Sequence, residues 1–543
     1  MLTLRTLGAR ARAALFLTAL ATIATSPGQA LAASSGGWNN IGHGATATSN
    51  ALNSKVETFT NVGTTVYVGG DFTNAGGIAA ADHIAKWNGT SWSALGGGLG
   101  DAASAVYAIA VDTATGKVFA GGSFQNAGGD TNADRVAVFN GTTWGSLSSV
   151  ALNGPVFALA IIGGTLYVGG GFDNVGGGNS STNFMDGVAA YDIDSGVWSP
   201  ITDHNAAMTG TIAAMVPDGS GGLYVGGCCA DIDGIAAADY IAHWTGGTSW
   251  SALGTGALNN RVRALAISGT DLYVGGDFTN AAGDADADKV AHWNGSTWSS
   301  LGPSFFGDGG NSIYAMAESQ GTVVAAGYFN NGGGLAKADG IAAFVGSTWK
   351  NVGTNATGTD GPVSLNTTML ALRVVGAKLY LGGLDSSIGD GSMNAYGAWY
   401  RIRQPDGLIA SGASGGTFAG NNVYNATGAS QTKSLTVHRG NTGTFRIKIT
   451  NDGFATDNFT LKGPGSSGGF TATYKNGANV VTAPVVAGTF SFSLAPAASK
   501  TITLTVKVGT GVSVGASKSW LVTATSTGLG TPKDSVKATV KAS

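Results

Sequence analysis

The chain has 543 residues, of which 90 are Gly and only 11% are charged, with a formal net charge of −3. Its hydrophobic fraction is 43%, so a charged share well below the usual ~25% does not signal disorder; it points to many short strands and tight turns under a nearly neutral surface. The length allows two or three domains.

The first residues read as a targeting segment. Arg5, Arg10 and Arg12 form a basic n-region, Ala13 to Ile23 a short apolar stretch, and Ala30-Leu31-Ala32 a cleavage signal, which predicts a signal peptide over 1–32 and a mature start at Ala33. The apolar stretch is short for a bilayer span and no later stretch is longer. The expectation is a secreted or surface-associated protein with no membrane span.

From Ala33 to Gln404 there are 13 Lys+Arg against 27 Asp+Glu, and from Pro405 to Ser543 there are 12 against 4. The plain reading is two unrelated domains with different surfaces. The sharper one is a basic tail that docks on an anionic wall polymer behind an acidic body that takes up cations. The acidic body argues against nucleic acid as a partner.

A unit of about 50 residues recurs from Ala33 to Gln404. It opens with an apolar run such as AVYAIAV (Ala105), PVFALAI (Pro155) or RVRALAI (Arg261). A second run ends in a glycine pair, as in LYVGG at Leu166, Leu223 and Leu272. After a variable loop comes a third run, such as IAKW (Ile84), IAHW (Ile241) or VAHW (Val290), and then a turn and a last run with its Trp. Asn-Gly pairs at Asn88, Asn140 and Asn294 predict type I′ hairpins. Four short strands per unit, seven times over, predict a seven-bladed β-propeller. The seventh unit stops at Trp399-Tyr400 without its last strand, and the Trp38-Asn39-Asn40-Ile41-Gly42 stretch matches the missing piece. The N-terminal strand is therefore expected to close the ring in the blade of Trp399, removing sheet edges.

The glycine pair ending the second strand, the aromatic ending the third and the Trp of the fourth resemble the kelch repeat, most closely in LYVGGGF (Leu166) followed by VAAYDIDSGVWSPI (Val188). The 33–404 region is similar to kelch-type, galactose-oxidase-like propellers of bacterial secreted proteins. The resemblance implies the fold and leaves activity open, since such propellers serve both as binding modules and as enzymes. From 405 to 543 the runs TFRIKIT (Thr444), NFTLK (Asn458), TITLTVKV (Thr501) and SWLVTATS (Ser519) alternate apolar and polar residues without the repeat. This predicts an antiparallel sandwich and resembles the immunoglobulin-like modules of bacterial secreted proteins, which imply spacing or anchoring and no catalysis. The expected class is all-β throughout.

Few residues escape the repeat. Cys228-Cys229 replace the Asp-Phe of the GGDF turn; in an oxidising compartment they can close a strained vicinal disulfide at a ligand rim, or stand as two buried thiols acting as small hydrophobes. Asp231 and Asp233, and Asp284 and Asp286, offer alternating oxygen ligands of the kind calcium takes, although neither loop completes an EF-hand. Asp82, Asp134, Asp186, Asp239, Asp288 and Asp339, with Asn394, recur in every unit and read as structural caps on backbone N–H groups. His243 and His292 fall at the same position of adjacent units, a weak metal or ligand signal without a third ligand. The copper centre of galactose oxidase has no counterpart. The GTSW and GSTW turns resemble the end of a sialidase Asp-box, but Trp87 stands where the Asp should be. Glu occurs only at Glu57 and Glu318, against a glutamate-pair glycosidase; HExxH, nucleophile-elbow and phosphate-loop motifs are missing from the sequence. The reading favours a binding or adhesion protein that recognises glycan or extracellular matrix through propeller loops, over a carbohydrate-active enzyme at the propeller mouth or a structural matrix protein.

Overall fold

The computed structural model of the chain describes residues 38–42 and most of 50–543, the longest stretches left out within that range being 176–184, 203–209, 354–362 and 389–395. The predicted signal peptide (1–32) and Asn394 lie outside the described residues. Ser34–Ser543 is one compact unit. Its described residues are all-β apart from single-turn 3₁₀ segments and one short helix, Thr482–Ala487.

Seven of the sheets are four-stranded and antiparallel, and none closes on itself. The first takes Val56–Val62, Thr65–Gly70, Ile84–Trp87 and Trp92–Ala94 in order. Five more repeat that order, and the seventh begins at Met369–Val375. Its fourth strand is Trp38–Asn40, paired antiparallel to Gly397–Arg401. The register refines the expectation by one residue: Trp38 lies opposite Tyr400, and Asn39 opposite Trp399. Tyr400 therefore takes the aromatic place that Trp87 holds opposite Trp92. The ring pairs have matching geometry, 5.2 Å for Trp38–Tyr400 and 5.4 Å for Trp87–Trp92. Trp399 moves to the position of Lys86, because strand partners alternate faces.

The contacts between sheets run in cyclic order. Each first strand packs on the first strand of the next sheet, and Met369–Val375 packs on Val56–Val62. The last-strand Trp ties each sheet to the one before. Trp92 Nε1 donates to Ile41 O (2.9 Å), Trp144 to Leu95 O (2.9 Å), Trp250 to Ile201 O (2.8 Å), Trp298 to Leu253 O (2.7 Å), Trp349 to Leu301 O (2.8 Å) and Trp38 to Val352 O (2.9 Å). In the third sheet the Tyr191 hydroxyl takes over, donating to Leu147 O at 2.9 Å, and Trp198 Nε1 is left buried without a partner.

The glycine pair has two separate causes. A Cβ on Gly70 would lie 2.2 Å from Lys55 O of its own sheet. A Cβ on Gly69 would lie 2.7 Å from Val106 of the next sheet, and one on Gly382 would lie 2.6 Å from Val56. Side chains from the following first strand fill the space the glycine leaves, which is why the pair recurs.

Two details differ from expectation. At the Asn-Gly hairpins positive φ falls on Gly89, Gly141 and Gly295 and not on the preceding Asn, as at the first central position of a type II′ turn rather than in both places of type I′. Asn88 Oδ1 instead accepts the N–H groups of Thr90 (2.9 Å) and Ser91 (2.8 Å), an Asx-type cap. The segment after Arg401 is also more than a connector: Pro405–Ser411 is a strand, with Ile409 opposite Ile447.

That strand opens the C-terminal region, which consists of two five-stranded sheets. A single parallel pair, Thr432–Val437 with Lys533–Ala542, interrupts their antiparallel pattern. A shared core joins them, around Phe445, Tyr474, Leu504 and Trp520. Asp534, fully buried, holds its corner: it accepts from Gly407 N (2.6 Å), Asn425 N (2.8 Å), Gln431 Nε2 (2.8 Å) and Ser535 N (2.9 Å).

Candidate functional site

The first strands of all seven sheets line one cavity of about 470 Å³. Each carries a register irregularity at the same level, between Val56 and Thr58, Val106 and Ala108, Val156 and Ala158, Ile212 and Ala214, Val262 and Ala264, Ile313 and Ala315, and Met369 and Ala371. A bulge leaves its extra residue unpaired and re-aims the side chain. The seven extra residues are Glu57, Tyr107, Phe157, Ala213, Arg263, Tyr314 and Leu370, and all seven line the cavity. Constant residues flank this layer, while its own side chains differ from sheet to sheet.

The layer is a set of built contacts. Tyr107 stacks on Phe157 at 5.1 Å. The Arg263 guanidinium lies 4.5 Å over the Tyr314 ring, and its Nε donates to Asp277 Oδ1 (2.8 Å) and Oδ2 (3.0 Å). Ser312 adds a hydrogen bond to Asp277 at 2.5 Å. Burial raises the Asp277 carboxyl, but Arg263 and Ser312 outweigh it and hold it below the usual range. Across the ring, Lys55 bridges Glu57 (2.8 Å) and Asp71 (3.1 Å). Burial pushes the Glu57 carboxyl up, against the pull of Lys55. Further along the strands Arg373 lines the same cavity, its Nε donating to Asn61 Oδ1 at 2.8 Å.

Sequence reasoning missed this layer. The repeat itself held the signal: in the aligned runs VYA, VFA and VRA, one position varies freely between constant neighbours.

The residues singled out from sequence stand elsewhere. Of the two readings of Cys228–Cys229, the vicinal disulfide is not formed; both are free thiols. Cys229 takes the inward place of Phe72 and Phe278 and is fully buried beside Ile232 and Ala238. Burial, then the neighbouring Cys228, pushes its thiol up to about 12, which leaves it unreactive. Cys228 holds the half-exposed place of Asp71, and its Sγ accepts from Thr211 N at 3.3 Å. The strand ends at Gly227 and the chain bends at Cys228, so the repeat position that calls for Phe sends Cys229 inward while Cys228 stays half-exposed.

The calcium reading of Asp231, Asp233, Asp284 and Asp286 finds no convergent site; among the described residues no group of three or more His, Cys, Asp or Glu side chains is placed to hold a metal. Asp284 closes its own turn, accepting from Asp286 N and Ser300 N (both 3.0 Å). Asp130 does the same in the second sheet, with Asn132 N and Ser146 N (both 2.9 Å). Asp233 accepts from the Thr202 hydroxyl. Asp231 is a left-handed turn residue whose N–H donates to Asp239 at 2.9 Å. That last contact is the general cap: Asp82, Asp134, Asp288 and Asp339 accept in the same way from Asn74, Asn126, Asn280 and Asn331.

His243 and His292 are satisfied within their own sheets. His243 stacks on Tyr224 at 4.2 Å and pairs with Asp218 at 3.0 Å; His292 stacks on Tyr273 at 5.0 Å and pairs with Asp271 at 2.7 Å. Partial burial raises the Asp218 carboxyl, but hydrogen bonds from Ser220, His243 and Gly222 overcome it and bring it down to about 2. Both pairs are cross-strand stacks with a carboxylate tip, a stabilising device.

No family model matches the chain, and none of the curated proteins matches it. Among solved structures, the extracellular domain of a protein described as a hybrid two-component system from B. thetaiotaomicron aligns at 9% identity and a TM-score of 0.40, over 90% of this chain and 55% of that one. The chain thus spans little more than half of that structure. The Trypanosoma rangeli sialidase aligns at 11% identity and a TM-score of 0.28, over 84% of this chain and 91% of that one. Among the described residues no helix is long and apolar enough to cross a membrane.

Proposed function

We propose that the chain is a secreted or surface-held binding protein for an extracellular glycan. Its architecture is a seven-bladed, kelch-type propeller closed by the N-terminal strand and followed by an immunoglobulin-like module. Support for the ring comes from the cyclic Trp-to-carbonyl ties, in which Trp38 of the first described strand reaches Val352. The basic C-terminal module fits the role of an anchor on an anionic wall polymer.

The observation that carries the function is the bulge layer. A purely structural ring would repeat one small residue at seven equivalent positions. This one sets three aromatic rings, an arginine and a glutamate around a single cavity. Aromatic faces with a few fixed polar groups are what a sugar ring requires, apolar contact on one side and directed hydrogen bonds on the other. The ligand site thus moves from the loops, where the sequence pointed, to the cavity.

The test is an oligosaccharide array followed by equilibrium binding, with and without calcium. Tyr107→Ala and Tyr314→Ala should each weaken the best ligand by roughly 10-fold or more, as for loss of a stacking ring. Unchanged affinity in both variants would return the ligand to the loops. One observation favours a second reading, a carbohydrate-active enzyme: Glu57 is a carboxyl in the cavity wall that burial pushes up against the pull of Lys55. Polysaccharide cleavage that disappears in Glu57→Gln would establish it.

A further inference from the structure

The charges of the cavity differ in one respect. Arg263 is neutralised by Asp277, and Glu57 by Lys55. Arg373 lines the same cavity, and among the described residues no carboxylate is paired with its guanidinium. Its Nε is anchored on Asn61 Oδ1, and Asn61 Nδ2 is anchored in turn on Gly63 O at 3.0 Å. The side chain is thereby oriented through one nitrogen. Its two outer nitrogens, the fork that matches a carboxylate or sulfate, have no acceptor among the described residues.

The repeat shows that this cation is not required by the fold. Arg373 lies opposite Tyr380 of the second strand. The same register position holds Thr60, Ala110, Ala160, Val216, Ala266 and Ala317 in the other six sheets. Four of these six, Thr60, Ala110, Ala160 and Val216, line the cavity with Arg373, so at this level the wall is small side chains with one positive point. Arg373 is exposed to solvent within the cavity, and the protein packed around it lowers its pKa, the direction expected of a cation with no countercharge nearby. It lies three positions beyond the bulge residue Leu370 on its own strand, about 10 Å. An occupant that touches both levels is longer than one sugar ring.

We infer that the cavity takes an acidic oligosaccharide, whose carboxylate or sulfate is received by the Arg373 fork while its rings lie on the Tyr107, Phe157 and Tyr314 layer. The inference rests on the glycan-binding reading and adds the charge class of the ligand.

The experiment compares calorimetric binding of a uronate-containing oligosaccharide with its carboxyl-reduced, neutral counterpart, and of a sulfated oligosaccharide with its desulfated form. The wild-type chain should prefer one acidic form by roughly 10- to 100-fold, the range expected for a charge-assisted hydrogen-bonded pair. Arg373→Gln should abolish the preference; Arg373→Lys should restore only some of it, because the charge remains and the fork is gone. The carboxylate and sulfate arms distinguish the two anions. An acid-to-neutral ratio identical in wild type and Arg373→Gln overturns the inference. If no saccharide of either kind binds, the glycan reading fails, and the anion site is read by itself from thermal melts in sodium sulfate against sodium chloride. A sulfate-dependent rise in Tm that vanishes in Arg373→Gln keeps the site, and equal behaviour of the two proteins removes it.

Discussion

The seven-sheet region and the C-terminal sheets solve the same packing problem in opposite ways. In the C-terminal region a single continuous core joins both sheets, and one buried carboxylate, Asp534, gathers four donors at its edge. In the seven-sheet region the apolar residues form separate clusters between neighbouring sheets, and polar ties are shared out, one Trp or Tyr bond per joint. The first arrangement concentrates stability in one core. The second spreads it thinly and leaves a cavity along the first strands. A distributed frame is what lets seven equivalent positions carry six kinds of side chain without loss of the fold.

The sharpest way to break that contrast is to remove the hub. Asp534→Ala would strand the N–H groups of Gly407 and Asn425 inside the protein, while Ser535 N keeps Asn425 O and the Gln431 amide keeps Gly407 O and Val423 O. The expected cost is about 3–5 kcal/mol in denaturant unfolding. Asp82→Ala, which removes one loop cap in the repeat region, should cost about 1 kcal/mol. Equal costs would mean that the C-terminal region is no more centralised than the ring.

A smaller effect separates the regions by pH. Burial pushes Asp534 up to about 6, against the pull of its four N–H donors. A carboxyl whose folded pKa is raised binds its proton more tightly when folded, so stability falls as pH rises from the ordinary value of 3.8 to about 6. Asp218 runs the other way. Its folded pKa is about 2, so its contribution is complete above 3.8 and is lost as pH falls toward 2. Lowering the pH from about 6 to about 4 should raise the denaturation midpoint reported by near-ultraviolet signals of Trp520. The repeat-region Trp signals carry a separate response, from the raised Glu57 carboxyl. Asp534→Asn should flatten the first response and leave the second alone; a C-terminal midpoint that falls on acidification would reverse the assignment.

Much of this frame was legible in the sequence because repetition averages out local noise. The glycine pair, the last-strand Trp and the recurrent Asp each have one physical cause repeated many times, and even the distant Trp38 could be matched to the gap beside Tyr400. What stayed hidden has equally specific causes. The strand Pro405–Ser411 was hidden because its partner, Thr442–Asn451, lies some 30 residues on, beyond any local pattern. The one-residue offset at Trp399 and Tyr400 was hidden because both residues are aromatic and either fits the motif. The site was hidden because attention went to residues of unusual chemistry, Cys228, His243 and Asp284, which the repeat absorbs as a core filler, a stacked pair and a turn cap. The cavity layer consists of ordinary residues whose significance appears only when the bulge aligns them.

The next effect tests the glycine pair. Gly121→Ala places a Cβ where Val156 Cγ1 lies 2.4 Å away, and should cost about 1–3 kcal/mol through overpacking of a sheet-to-sheet joint. Ala326 occupies the corresponding place in the sixth sheet, where the following first strand offers the flexible Met369 instead of a β-branched residue. Gly121→Ala combined with Val156→Met should therefore recover some of the loss. If the double variant is no better than the single one, the glycine is set by its own strand and not by the neighbouring sheet.

The smallest expected effect is also the most discriminating within the ring. Trp92 and Trp198 occupy equivalent last-strand positions, and both pair with a third-strand aromatic at similar distances, 5.4 Å and 5.0 Å. Trp→Phe at either removes similar apolar area, so the packing losses should nearly cancel in the comparison. At Trp92 the change also removes a bond to Ile41 O and leaves a carbonyl unpaired, adding about 1 kcal/mol. At Trp198 there is no such bond to lose, since Tyr191 has taken the Leu147 carbonyl, and Phe rids the structure of a buried, unpartnered N–H. Trp198→Phe should therefore cost less than Trp92→Phe in denaturant melts. Tyr191→Phe should cost about as much as Trp92→Phe beyond packing, because the tie of the third sheet resides in its hydroxyl. If Trp198→Phe proves the costlier substitution, the sheet-to-sheet hydrogen bonds are not what joins this ring, and interdigitation of the aromatic rings alone holds the sheets in order.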